Sequence, residues 1–208
     1  MIGIILPSRG LIFAEMENSL EQNLAHNTHR IYRSWNLKIP ECENVLVKQA
    51  LQDGCDYILM VEEDTVMPEN GLFQLLLAKS DITCIDYGVA GYSTITKDKN
   101  TGEILWCGLG CTLIKREVFE ALAYPWFRSD KALLLNFWPE EKWIDAGKQA
   151  YGGQDIWFCL NARKNGFTIT QVEGEAKHLK LDNLGRPEVN NGLHQISQKP
   201  VVSKYQTL

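Results

Sequence analysis

The 208-residue chain has no Cys-x-x-Cys pair, no apolar run near the ~20 residues that span a bilayer, and no excess of positive charge. Each absence removes a class of protein. The six cysteines, Cys42, Cys55, Cys84, Cys107, Cys111 and Cys159, lie mostly in apolar surroundings such as Ile82-Thr83-Cys84-Ile85. That pattern predicts buried free thiols in a reducing compartment, not a disulfide framework. Cys107 and Cys111 have no second pair nearby to complete a four-ligand zinc site. The formal net charge of −5 gives no general pull toward nucleic acid or an anionic membrane. Met1 to Leu6 is too short for the apolar region of a signal peptide, and Pro7 ends it. There is no internal repeat and no low-complexity segment. The expectation is a soluble, cytoplasmic protein without a membrane anchor.

What is present suffices for one core, since 45% of the residues are hydrophobic. Apolar runs that read as strands alternate with segments of helical period. Strands are expected at Met1–Leu6, His29–Trp35, Tyr57–Val61, Ile82–Tyr87, Ile104–Ile114 and Phe167–Val172. Helices are expected over Phe13–His26, Glu43–Asp53, Pro68–Leu77, Arg116–Ala123 and Gly152–Asn165. In the second helix Val45, Leu46, Ala50 and Leu51 are expected to face inward. Asn100-Thr101-Gly102 is a plausible hairpin turn. The alternation predicts an α/β sandwich with a mostly parallel sheet. Residues 1–180 form its domain. Residues 181–208 are polar, hold Gly185, Pro187, Gly192 and Pro200, and read as a loop or tail.

Four features carry chemistry. The first is Glu62-Glu63-Asp64, directly after the apolar run Tyr57 to Val61. Ligands of open α/β sheets bind beyond the carboxyl ends of strands. Three acids there repel one another unless something positive holds them, and a divalent cation prefers such oxygen ligands. A solvated acidic turn is the alternative. The second feature is Gly108-Leu109-Gly110 inside an apolar strand, which marks either close approach of a ligand or a bulge. The third is Gly152-Gly153-Gln154-Asp155, which delivers a carboxylate to a helix start and equally reads as an ordinary N-cap. The fourth is His178, between Lys177 and Lys180 after the last strand. A lone histidine is most often structural, but its place beyond a strand favours a functional role.

The order and spacing of these features resemble the GT-A glycosyltransferases, in particular the family-2-like inverting enzymes. The likeness covers about residues 1–180. Glu62-Glu63-Asp64 looks like the Asp-x-Asp motif that holds a divalent metal on the donor diphosphate, with glutamate for the first acid. Pro7-Ser8-Arg9 looks like the family's first loop. Asn44 lies in a segment similar to the one before the metal-binding strand, where Glu43 replaces a frequent arginine. Gly108 and Gly110 resemble the glycine-rich strand near the donor sugar. Gln154-Asp155 resembles the acidic pair that supplies the catalytic base, with glutamine at the first position.

The resemblance therefore implies a GT-A (Rossmann-like) three-layer sandwich. It implies a metal site at Asp64 and His178 for Mn²⁺ or Mg²⁺, and a donor site at Pro7, Ser8, Arg9, Asn44, Glu62, Glu63, Gly108 and Gly110. UDP is one candidate nucleotide. Asp155 would be the base, with Gly153 and Gln154 on the acceptor side. The acceptor could be a saccharide, a protein or a modified nucleic-acid base. Trp126, Phe127, Phe137, Trp138 and Trp143 lie where an acceptor region is expected, or else in the core. Two rivals stay open. A nucleotidyltransferase would need a loop rich in glycine and basic residues after the first strand, and Pro7-Ser8-Arg9-Gly10 is thin in both. A non-catalytic sugar-nucleotide-binding domain would have no need of Asp155.

Overall fold

The computed structural model of the chain describes residues 1–8, 10–35, 38–89, 91–135, 138–145, 153–181 and 187–189. Its elements run β1 (Ile2–Ser8), α1 (Ala14–Leu24), β2 (His29–Trp35), α2 (Glu41–Gln52), β3 (Tyr57–Val61), β4 (Thr65–Val66) and α3 (Gly71–Leu77). Then follow β5 (Ile82–Val89), β6 (Tyr92–Ser93), β7 (Thr96–Lys97), β8 (Ile104–Trp106), β9 (Cys111–Lys115) and α4 (Arg116–Ala121). The last are β10 (Lys131–Leu133), β11 (Trp143–Asp145), α5 (Gly153–Lys164), β12 (Ile169–Leu181) and β13 (Pro187–Val189).

The main sheet runs in the order β13-β12-β5-β9-β3-β1-β2. Strands β2, β1, β3, β5 and β12 point one way, while β9 is inserted antiparallel between β3 and β5. Two apolar layers cover the sheet. One packs α2, α4 and α5 through Leu46, Val47, Phe119 and Phe158 against Ile5, Ile58 and Met60. The other packs α1 and α3 through Met16, Leu20, Leu72 and Leu75 against Ile4, Leu6, Leu59 and Val61. The alternation along β1 and β3 is the period of two that a doubly covered strand demands. This is the expected three-layer α/β sandwich of Rossmann-like, GT-A type. Among the described residues no helix is long and apolar enough to cross a membrane. All six cysteines are free and buried.

Four departures from the sequence reading lie in or near the functional edge. Ile104–Ile114 is not one strand: Cys107 to Gly110 breaks it into β8, which pairs with β7, and β9. The last strand does not stop at Val172. It continues to Leu181, shifts register between Gln171 and Glu175, and pairs His178 with Thr65 of β4. Residues 187–189, expected within the tail, add an antiparallel strand to β12. The rest of that tail, apart from Leu181, lies outside the described residues. The fourth departure is in α2, where Leu46, Ala50 and Leu51 face the core as expected but Val45 does not. Val45 is 45% exposed, and the buried residues of α2 are Cys42, Glu43, Asn44, Leu46, Val47 and Ala50, with Leu51 packed beside them. The error came from following the apolar letters, when the true stripe contains a charged residue.

Candidate active site

Helices α2 and α5 run against the direction of the parallel strands. Their first turns therefore meet the carboxyl ends of β1, β3 and β5 at one edge. Strand alternation then sorts the three acids after β3. Ile58 and Met60 belong to the layer under α2 and α5, so Glu62 follows them to that side. Leu59 and Val61 belong to the other layer, and Glu63 follows those.

Glu63 meets Ser8, which alternates to the same side from β1. The Ser8 hydroxyl donates to Glu63 Oε2 at 2.7 Å, and Gly10 N–H donates to Ser8 Oγ at 3.0 Å. Both side chains are buried. Ser8 and Glu63 thus tie the first loop to the acidic turn. Pro7 lies within β1, and Arg9 lies outside the described residues.

Glu62, Asp64 and His178 come together. Each offers one ligand atom, and the three atoms lie within 4.8 Å of one another. His178 Nε2 is 3.6 Å from Asp64 Oδ2. The long reach of β12 accounts for this, because the Thr65–His178 register brings the imidazole beside the acidic turn, and Leu179 N–H donates to the Asp64 carbonyl at 2.7 Å. Two carboxylates and one imidazole at this separation fit a divalent ion. Glu62, expected in the donor site, is the third member of this cluster.

Tyr87, at the carboxyl end of β5, was missed by the sequence reading. Its ring stacks on His178 with centroids 6.1 Å apart, and its hydroxyl accepts from Gly110 N–H at 2.9 Å. Burial first, then the charges of Glu62 and Asp155, hold the phenol well above its ordinary pKa, so it stays protonated. Tyr87 also explains the glycines. A Cβ at Gly108 would lie 2.5 Å from the Tyr87 hydroxyl, and one at Gly110 would lie 2.8 Å from the ring. The close approach that Gly108 and Gly110 permit is by this side chain. Thr65, also missed, has an enclosed hydroxyl with no hydrogen-bond partner among the described residues.

Asp155 occupies the first turn of α5 and is partly exposed, with Oδ1 enclosed and without a hydrogen-bond partner among the described residues. Burial raises its pKa to about 7, against a smaller lowering by the Leu109 backbone N–H. The glycine strand and the Asp155 helix, separate in the sequence, are therefore neighbours. Gln154 is buried, and Gly153 lies against the carbonyl of Lys131.

Asn44 has a structural task. Its side chain donates to the Phe127 carbonyl at 2.8 Å and accepts from Phe127 N–H at 3.2 Å. Asn44→Ala is expected to lower stability by about 1–3 kcal/mol, because it orphans buried backbone groups. Urea unfolding measures that loss. Nucleoside-diphosphate affinity should stay within about twofold of wild type, whereas a donor-binding Asn44 would lose more. Of the expected acceptor aromatics, Trp126 and Phe127 are core residues around Phe119. Trp138 packs on Trp106, Trp143 packs on Trp157, and Phe137 lies outside the described residues.

No family model matches the chain, and no curated protein matches it. Solved structures do. A197 from STIV shares the fold, with a TM-score of 0.58 at 18% identity over 90% of this chain and 93% of that one. A glycosyltransferase involved in the glycosylation of the major capsid of PBCV-1 aligns at a TM-score of 0.37, with 14% identity over 57% and 62% of the two chains. HddC from Yersinia pseudotuberculosis, complexed with GMP-PN, aligns at 0.42, with 11% identity over 79% and 100%. At those two scores the likeness bears on neither fold nor function.

Proposed function

We propose that the chain is a metal-dependent glycosyltransferase that moves a sugar from a nucleotide-diphosphate-sugar donor to an acceptor hydroxyl with inversion. One observation carries this reading. The ligand atoms of Glu62, Asp64 and His178 converge at the same sheet edge as Asp155, one of whose carboxylate oxygens is enclosed. A phosphate-bearing donor needs the first group, and an acceptor hydroxyl needs the second.

Glu62, Asp64 and His178 would hold Mn²⁺ or Mg²⁺, which supplies Lewis-acid neutralisation of the charge left on the diphosphate. Tyr87 and Ser8 hold this group in place, Tyr87 by stacking on His178 and Ser8 by anchoring Glu63 between two of its members. Asp155 takes the proton of the acceptor hydroxyl as its oxygen bonds to the anomeric carbon. The bond from that carbon to the diphosphate oxygen breaks in the same displacement. With Asp155 as base and the acceptor oxygen as nucleophile, the displacement inverts the anomeric centre once. A carboxylate with a pKa of about 7 is well matched to proton abstraction near neutrality.

The test is hydrolysis of a panel of UDP-, GDP- and dTDP-sugars with and without Mn²⁺. Metal-dependent release of nucleoside diphosphate is expected. Consumption of a nucleoside triphosphate with release of pyrophosphate would assign the site to nucleotidyl transfer instead.

A further inference from the structure

Glu43 is unusual for a helix residue. It lies on the buried stripe of α2 and is only 3% exposed. Its Oε2 is enclosed and has no hydrogen-bond partner among the described residues. Burial first, then the neighbouring acids Asp155 and Glu62, hold its carboxyl well above the ordinary carboxylate range. Gln154, 5% exposed and next to Asp155, likewise has an enclosed Oε1 without a partner among the described residues.

Packing does not account for such a side chain. Carboxylates are almost never fully buried without a partner, because desolvation penalises them, and two neighbouring acids increase the penalty. An apolar or amide residue at position 43 would make a more stable helix. A destabilising polar group kept at a ligand edge is what a recognition residue looks like. A ligand carrying hydrogen-bond donors would supply the partners that these oxygens lack among the described residues. Carboxyl groups bond sugar hydroxyls well, since each hydroxyl both donates and accepts. A ligand carboxylate would be stripped of water in an enclosed space beside Glu62 and Asp155, at the same kind of cost that burial sets on a charged Glu43.

We propose that Glu43 recognises the sugar of the donor, bonding the hydroxyls of an uncharged sugar ring and disfavouring a sugar that carries a carboxylate. The assignment rests on the nucleotide-sugar reading of this edge. It adds a residue to that reading and commits the substrate to the uncharged, hydroxyl-rich class.

The test compares wild type, Glu43→Gln and Glu43→Asp by calorimetry in Mn²⁺. The probes are UDP, UDP-glucose and UDP-glucuronate, with GDP, GDP-mannose, dTDP and dTDP-glucose as the other bases. In wild type, the neutral conjugate of the preferred base should bind more tightly than the bare diphosphate. If that base is uracil, the glucuronate conjugate should bind no more tightly than UDP. Both variants should keep diphosphate affinity and lose at least ~10-fold for the neutral conjugate. Glu43→Gln should also melt at a higher temperature than wild type. Unchanged affinity for the neutral conjugate in both variants overturns the proposal, as does equal loss for diphosphate and conjugate. A lower melting temperature with unchanged binding would make Glu43 a structural residue. If wild type binds no nucleoside diphosphate at all, the donor-site reading falls and takes this proposal with it.

Discussion

Replacing Asp155 with asparagine is expected to slow sugar transfer by at least ~100-fold while metal and nucleoside-diphosphate binding stay near normal. Asparagine keeps the shape of the side chain and an oxygen for the Leu109 backbone N–H, but it cannot take a proton. Wild-type transfer should rise with pH through about 7, because burial holds the Asp155 proton to that point. The variant should lose that limb. Stability provides an independent check on the same group. A carboxyl whose pKa is raised binds more protons folded than unfolded, so its contribution is fully present below about pH 4 and is lost as pH rises to about 7. The melting temperature of Asp155→Asn relative to wild type should therefore increase between pH 5 and pH 8. Near-normal transfer by the variant would leave Asp155 as a helix cap. Retained anomeric configuration in the product would reject a single displacement.

Much of this edge was legible because strands obey a strict period. The apolar run from Tyr57 to Val61 had to end in three acids at the carboxyl end of a buried strand, and it does. The same period separates Glu62 from Glu63, which accounts for one joining His178 and the other Ser8. Residue letters alone did not show which was which, because that depends on the layer each face meets. His178 was found from its position after a strand. How it reaches Asp64 was not, since a 13-residue strand with a register shift reads in sequence as a short strand and a loop. The glycines were read as the mark of an approaching ligand or a bulge, whereas the group packed against them is Tyr87 of β5, which only tertiary structure brings there.

Glu43 was missed for a different reason. A helical stripe is found by its apolar members, and Val45 was taken in with Leu46, Ala50 and Leu51 while Cys42, Glu43 and Val47 were passed over. The inward phase includes an acid, so hydrophobic periodicity counts against it. Local and global preferences conflict at this one turn of α2, and conflicts of that kind concentrate at functional sites. A search for charged residues on the less apolar of two competing phases would have found it.

The second large effect is expected at Asp64. Its carboxylate is 3.6 Å from His178 Nε2, and its own carbonyl anchors Leu179, so its backbone is held by β12 whatever its side chain. Asp64→Ala therefore deletes a ligand without releasing the turn. Mn²⁺ affinity, read from the electron paramagnetic resonance of free Mn²⁺, should fall by at least ~10- to 100-fold, a range known for losses of supporting groups and so a lower bound for a ligand. Turnover and nucleoside-diphosphate affinity should fall together, because the metal would join protein to phosphate. His178→Ala should weaken Mn²⁺ in the same direction. Glu63→Gln is the control, since Glu63 turns to Ser8 and away from the cluster, and Mn²⁺ affinity should stay within about twofold of wild type. Equal losses in Asp64→Ala and Glu63→Gln would mean that the whole turn had collapsed. Unchanged Mn²⁺ affinity in Asp64→Ala, or full transfer in excess chelator, would remove the metal from the mechanism and leave the three side chains as a polar cluster that closes the end of the sheet.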